Sequence, residues 1–371
     1  MGRLSAQLPA GAAASAVAGA FETAAAAVAA ELAPLRGAAI HVNGASGFLA
    51  ANLLALLDRA SALGGLELDL HASARRPPEQ VALFRFLGVR PHVRWELAGA
   101  ECTSLPERPG CIAVHTASYG APRDYLREPV ATFQANTLGL MRTFEEAARV
   151  GAAHVVYLSS AEVYGQPPDG AIPTREDFAG APVLEDPRSI YAESKRMAEV
   201  LGLALSRQTE IPFTAVRPWN LYGPGQRLDD ARAPLAFLCM AMQEQSIALT
   251  SDGTPTRSPC FVWDGLLQLA ACLGPAGAAG GPVNIGNPQA ETSIRALAEL
   301  CAAQAGLPAG SVSCARDRAD QGLARCVPDI SRVRARARTA PAALTALEDG
   351  VALLHEWVCW ARADARERPQ Q

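Results

Sequence analysis

Tyr191 and Lys195 stand four positions apart in Arg188-Ser189-Ile190-Tyr191-Ala192-Glu193-Ser194-Lys195, one turn apart on a shared helix face. A lysine ammonium beside a phenol favours the phenolate, so a group of ordinary pKa about 10 becomes a base usable near neutral pH. Such a pair often arises by chance. Its weight comes from Leu158-Ser159-Ser160-Ala161-Glu162-Val163-Tyr164-Gly165 upstream, an apolar run that passes into a polar loop. Ligands of open parallel sheets bind beyond the carboxyl ends of the strands, where this loop falls. Ser160 could then hydrogen-bond the substrate hydroxyl that Tyr191 deprotonates. Taken singly, Ser160 or Glu162 would serve equally well as a helix cap.

A second feature binds rather than reacts. Gly44-Ala45-Ser46-Gly47-Phe48-Leu49-Ala50 closes the first apolar run and opens a helix. Gly44, Ser46 and Gly47 would let the backbone approach a pyrophosphate, whose charge then sits at the helix N-terminus. A tight strand-to-helix turn with no ligand is the plainer alternative. The second strand region ends His71-Ala72-Ser73-Ala74-Arg75-Arg76, without the carboxylate that normally holds the adenosine ribose. An arginine such as Arg75 could meet a 2′-phosphate there, or both arginines could be solvated, which leaves NAD and NADP both open.

These residues need a frame. From Ala38 the runs AAIHVNG, LELDLHAS, HVRWELAG, CIAVHTAS, HVVYLSSAEVYG and FTAVRPWN alternate with helical stretches at 49–63, 129–150 and 188–208. That rhythm predicts an α/β fold, a Rossmann-type doubly wound parallel sheet. Tyr222 to Trp263 is rich in Pro, Gly and polar turns and reads as a smaller C-terminal substrate-binding lobe. Phe21, Ala25, Val28, Leu32 and Leu35 recur at helical spacing, which predicts an amphipathic helix packed on the main domain instead of a signal peptide. The expected division is 1–36 as a helical extension and 37–221 mainly as the dinucleotide-binding domain. Residues 222–371 fall mainly in the substrate lobe, with segments returning to the sheet.

With 371 residues, 49% of them hydrophobic and 19% charged, the chain can build a large core. A net charge of −4 provides no footprint for nucleic acid. Nine cysteines form no C-x-x-C pair and no cluster with histidine, so neither a metal site nor a disulfide framework is expected, and a reducing cytoplasm fits. No strongly apolar run approaches the roughly 20 residues that span a bilayer.

Together these motifs resemble the extended short-chain dehydrogenase/reductases that epimerise, dehydrate or decarboxylate nucleotide sugars. The resemblance runs from about Leu35 to Trp360 and includes Arg217-Pro218-Trp219-Asn220-Leu221-Tyr222-Gly223-Pro224-Gly225, the segment Arg257 to Asp264, Val283-Asn284-Ile285-Gly286-Asn287 and Pro328-Asp329-Ile330-Ser331. It implies a bound NAD, or NADP, held by the glycine turn with Phe48, Leu49, Ser73, Arg75, Ala117, Tyr191 and Lys195, and with Pro218 near the nicotinamide. Asn136 matches a position that orients the lysine through water. The implied substrate is a UDP- or dTDP-linked sugar met by Ser118, Glu162, Asn220, Arg232 and Arg257. Homodimers through the helices at 129–150 and 188–208 are also implied.

The family opens its reactions by oxidising carbon 4 of the sugar, and its branches differ at positions matching 160–162. Dehydratases place Thr-Asp-Glu there, whereas this chain has Ala161, which cannot donate a proton. Simple 4-epimerases usually lack the glutamate that Glu162 supplies. UDP-glucuronate decarboxylases keep the glutamate without the aspartate, and Gln226 to Phe237 resembles their nucleotide-binding loop. The leading expectation is therefore decarboxylation of a UDP-uronic acid, with a 4-epimerase or an atypical 4,6-dehydratase second. A non-catalytic dinucleotide binder is the reading of another class. The chain departs from the family pattern at Asn43, Ala50 and Ala100, and in the Arg257 to Asp264 segment.

Overall fold

Each apolar run expected to be a strand joins one parallel sheet. These are β1 (Ala39–Asn43), β2 (Asp69–Ala74), β3 (Val93–Leu97), β4 (Ile112–His115), β5 (His154–Leu158) and β6 (Phe213–Pro218). The computed structural model describes residues 16–89, 91–274, 277, 281–315, 324–339 and 343–367. Short strands β7 (Leu221–Tyr222), β8 (Ile247–Leu249), β9 (Thr256–Arg257) and β10 (Cys260–Phe261) follow in the second half of the chain. Then β11 (Val283–Ile285) returns to pair with β6 as the seventh strand of the main sheet. Its three residues are too few to show any period in sequence. The lobe is completed by β12 (Thr292–Ser293), β13 (Val312–Cys314) and β14 (Arg325–Cys326).

The order across the main sheet is β11-β6-β5-β4-β1-β2-β3. Succession reverses direction between β1 and β4, so the connections that leave their carboxyl ends run to opposite sides and open a crevice. Side chains alternate across the sheet because a strand has a period of two. Ile40 and Val42 of β1 and Val156 of β5 enter one core, while Ala39, Val155 and Tyr157 enter the other. Both faces are therefore covered. α1 (Ala16–Glu31), α2 (Phe48–Gly64) and α3 (Ala82–Leu87) contribute to the first core. The crevice side of the chain carries the short α4 (Pro122–Arg127) and α5 (Pro129–Asn136), while α6 (Leu138–Val150) and α7 (Ser189–Thr209) supply the second core. α8 (Leu235–Glu244), α9 (Val262–Ala270), α10 (Ile294–Gln304), α11 (Ser331–Arg336) and α12 (Leu347–Glu367) complete the helices among the described residues.

The helix expected at 129–150 is broken. Thr137, at φ −103° and ψ −64°, separates α5 from α6, and its hydroxyl donates to the Phe133 carbonyl at 2.7 Å. At the amino-terminal side, Phe21, Ala25, Val28 and Leu32 are buried, as the helical spacing predicts, whereas Leu35 is only partly covered. Residues 1–15 of the expected extension lie outside the described residues. Glu22 pairs with Arg59 of α2 at 2.8 Å. Buried Glu31 accepts the backbone N–H groups of Arg338 and Thr339 at 3.0 and 3.2 Å. No helix among the described residues is long and apolar enough to cross a membrane.

Candidate active site

The crevice at the β1/β4 divergence is a cleft of about 1530 Å³. Gly44 begins its floor at φ 67°, a left-handed conformation that favours glycine. A Cβ on Gly44 would stand 2.7 Å from the Ala117 Cα, so the approach of two backbones, and not only the turn, demands glycine. Gly47 then starts α2, whose first turn has no side-chain cap. Uncapped N–H groups at a helix start suit a diphosphate. Ser118 lines the same cleft and its buried hydroxyl has no partner among the described residues. A close-approach glycine pair, an uncapped helix start and an orphaned hydroxyl fit the diphosphate of a dinucleotide. Phe48, Leu49, Arg75, Ala117, Tyr191, Lys195 and Pro218 also line this cleft.

Asn43, which departs from the family pattern, proves to be the clamp between the two diverging strands. Its Oδ1 accepts the N–H groups of Thr116 and Ala117 at 2.9 and 3.0 Å. Its Nδ2 donates to His115 Nδ1 at 2.8 Å. The direction of that bond follows from the other ring nitrogen. His115 Nε2 lies 3.1 Å from the Ala135 carbonyl, which can only accept, so the proton is on Nε2. Burial, with Lys195 nearby, pushes His115 down to about 3, and the ring is neutral at physiological pH.

The first turn of α7 and the end of β5 build the reactive corner. Lys195 is buried and its ammonium donates to the Leu158 carbonyl at 2.6 Å. It stands 5.8 Å from the centroid of the Tyr191 ring, and burial lowers it to about 7. The expected depression of the phenol is not found in the protein without ligand. Burial, reinforced by the charge of Glu162, holds Tyr191 above its ordinary value, and the Ser160 hydroxyl bonded to the phenol only partly opposes this. Full burial of the ring outweighs a lysine that itself tends to shed its proton.

Glu162 lines the cleft beside Tyr191, its carboxyl raised by burial and pulled back by Arg188 and then Arg232. Ser160, whose hydroxyl accepts the Glu162 N–H at 3.2 Å, both caps this turn and reaches the phenol. Asn220, at φ 46°, donates to Cys326 Sγ at 3.6 Å. Arg232 is held by two bonds from its Nε and Nη2 to Asp230, at 2.9 and 2.5 Å. Arg257 donates to the Thr256 carbonyl at 2.8 Å. These three also line the cleft. No cluster able to hold a metal ion occurs among the described residues.

Two expected site residues are placed elsewhere. Ser73 is buried against Thr103, with the hydroxyls 3.3 Å apart, and does not line the cleft. The last strand residues alternate, and Ala74 takes the cleft-facing place instead. Asn136 is also outside the lining. Its Nδ2 donates to Ser194 Oγ at 2.8 Å, and Ser194 donates to the Tyr191 carbonyl at 2.8 Å, so it meets α7 through Ser194, while its buried Oδ1 has no hydrogen-bond partner among the described residues. Arg75 and Arg76 are both exposed, and each also makes one hydrogen bond. Arg75 donates to the Tyr119 hydroxyl at 2.9 Å, and Arg76 to the Ser46 carbonyl at 2.9 Å. Tyr125 and Arg188, which meet Tyr191 and Glu162, lie outside the site residues that the sequence motifs mark. Arg188 carried a usable signal, three residues before Tyr191 and hence on its helix face. Tyr125 carried none.

The family described as NAD dependent epimerase/dehydratase matches residues 40–286. The chain is 36% identical over 188 residues to UDP-glucuronic acid decarboxylase 6 of Arabidopsis thaliana, covering 50% of this chain and 52% of that protein. It is 32% identical over 220 residues to UDP-glucuronic acid decarboxylase 1 of Xenopus tropicalis, covering 59% and 50%. The matched part spans about half the length of these relatives. An epimerase of Methanothermobacter thermautotrophicus superposes with a TM-score of 0.74 at 22% identity, over 94% of this chain and 98% of that one, which shows a common fold.

Proposed function

Because this chain belongs to the NAD dependent epimerase/dehydratase family, we propose that it remodels a nucleotide sugar and, more narrowly, decarboxylates a UDP-linked uronic acid through a transient 4-keto sugar. The observation that carries this reading is the juxtaposition of Glu162 and Ala161 in the cleft beside Tyr191. A carboxyl is present to serve carbon 5, and a methyl group stands where a dehydratase needs an acid for the departing 6-hydroxyl. The names of the relatives, UDP-glucuronic acid decarboxylases, support the same choice.

NAD, when bound, supplies a reversible hydride acceptor for carbon 4. Tyr191 takes the proton of the 4-hydroxyl, and Ser160, already bonded to the phenol, orients that hydroxyl. Lys195, fixed on the Leu158 carbonyl, is positioned beside the base. A 4-keto uronic acid is a β-keto acid, so carbon dioxide leaves as its electron pair moves into the ketone. Glu162, held above the ordinary carboxyl range by burial, then protonates carbon 5. Incubation with UDP-glucuronate and NAD is expected to release carbon dioxide and yield a pentose nucleotide without net NADH. Tyr191→Phe should abolish this. Recovery of unchanged substrate from the wild type would remove the decarboxylase reading, and a 4-epimer would replace it with epimerisation.

The same reading extends to organisation. Residues 37–221 mainly form the dinucleotide-binding part and residues 222–371 mainly the substrate lobe, with segments such as β11 returning to the sheet. A homodimer through α5, α6 and α7 is supported by their outward apolar side chains, among them Val130, Phe133, Met197 and Val200. Nine free thiols support a reducing, cytoplasmic setting.

A further inference from the structure

Three segments converge on the phenol of Tyr191. One is α4, which follows β4; another is the loop after β5; the third is the residue that opens α7. Tyr125 of α4 is fully buried, and its ring is stacked on that of Tyr191, with centroids 4.9 Å apart and planes 13° from parallel. Its hydroxyl accepts from Arg188 Nε at 3.2 Å. The Arg188 Nη2 lies 3.8 Å from Glu162 Oε1. Arg188 is itself anchored through its main chain: its N–H donates to Asp186 Oδ1 at 2.8 Å, and its carbonyl accepts the Tyr191 N–H at 3.1 Å.

We infer that Tyr125 and Arg188 are positioning residues for the base and for Glu162: Tyr125 backs the Tyr191 ring, and Arg188 couples that stack to the Glu162 carboxylate. Ring packing alone would be satisfied by phenylalanine at 125. The buried hydroxyl is used on Arg188, so the site needs the guanidinium held in one direction. The second duty of Arg188 is electrostatic. Glu162 is faced by Arg188 and Asp186 from the approach to α7, Tyr191 on α7, Tyr125 on α4, Arg232 from the lobe and Cys326 on β14. Arg232 already spends two bonds on Asp230, whereas the Arg188 contact to Glu162 is made by a guanidinium half open to the cleft. Arg188 is thus the cation left to set how readily Glu162 holds a proton, and burial sets the baseline that it opposes.

The inference rests on Tyr191 acting as the base and Glu162 serving carbon 5, so its test includes a readout that needs no turnover. Full-length protein with NAD would be labelled with ¹³C at the Glu carboxyl and Tyr ring carbons, with Glu162→Gln and Tyr191→Phe assigning the two signals. In Arg188→Gln the Glu162 carboxyl should titrate about one pH unit higher, and Arg188→Lys should recover most of the difference. An unmoved Glu162 titration in Arg188→Gln would overturn the coupling. With UDP-glucuronate, Tyr125→Leu should lower kcat about tenfold or more with little change in KM, because the base loses its backing. Wild-type kcat in Tyr125→Leu would overturn the positioning role. Should Tyr125→Leu fail to fold, Tyr125→Phe keeps the stack and frees Arg188. The Glu162 titration should then fall between those of wild type and Arg188→Gln, and coincidence with wild type would overturn the link. If UDP-glucuronate is not a substrate, only the choice of reaction fails, and the titrations still decide this inference.

Discussion

The ammonium of Lys195 rests on the carbonyl of Leu158, 2.6 Å away, and so ties the helix that carries the base to the strand that carries Ser160. Burial lowers this lysine to about 7, well below its value in an unfolded chain. Between about pH 7 and 10.4 the unfolded chain therefore binds more protons than the folded one, and stability rises with pH. Below pH 7 both forms are protonated and the full cost of burying the charge is present. Lys195→Met should remove this dependence. Urea unfolding at pH 6 and pH 9 should show a larger gain with pH for wild type than for the variant, and equal gains would refute the assignment.

Gly44 is expected to tolerate no side chain. Its φ of 67° and the 2.7 Å approach of a Cβ to the Ala117 backbone act together. Gly44→Ala should cost about 1–3 kcal/mol in stability through strain. It should also weaken NAD binding, since the displaced loop carries Ala117 and Ser118. Calorimetric titration with NAD and thermal unfolding check the two effects separately.

Glu199 and Arg217 form a buried pair, with Arg217 Nε and Nη2 donating at 2.9 and 2.6 Å, while the Ser159 hydroxyl donates to the same carboxylate at 2.5 Å. Arg217 also donates to the Tyr164 hydroxyl at 2.7 Å. Glu199→Gln leaves a buried guanidinium without its counter-charge and should cost about 3–5 kcal/mol. Adding Arg217→Met should cost less than the sum of the two single changes. Chemical unfolding of the double-mutant cycle measures the difference.

Three buried imidazoles make the fold sensitive to acid. Burial lowers His41 and His115 to about 3 and His154 to about 4. In the unfolded chain they protonate near 6.5, so stability is retained above that value and falls as the pH drops toward 4. His154→Gln should reduce the loss between pH 7 and pH 5 relative to wild type. An unchanged loss in that interval would count against a neutral His154.

Much of this was legible in the chain because strong local patterns coincide with strong tertiary demands. Of the runs that became strands, β1, β4, β5 and nearly all of β6 are buried on both faces, and Gly44, Gly47, Ser160, Tyr191 and Lys195 fall near strand ends or helix starts, where spacing is informative. What stayed hidden was set by contacts distant in sequence. Tyr125 is one aromatic in a polar loop until α7 is laid against it. The break at Thr137 leaves no mark in the apolar pattern of 129–150. Ser73 and Ala74 exchange inward and cleft-facing places through the pleat alone. The protonation of Tyr191 could not be read from Lys195, because spacing reveals a partner but not the depth of burial that overrides it.

Glu31 has a consequence for how the protein is made. Its carboxylate is buried, yet the N–H groups that satisfy it belong to Arg338 and Thr339. A nascent chain can dock α1 on α2 early, but that carboxylate has no native partner until the ribosome has released the segment beyond 339. Burying it alone would be costly. The packing of the amino-terminal helix is therefore completed by a segment more than three hundred residues away, and a chain that ended before it would leave this carboxylate buried without those donors.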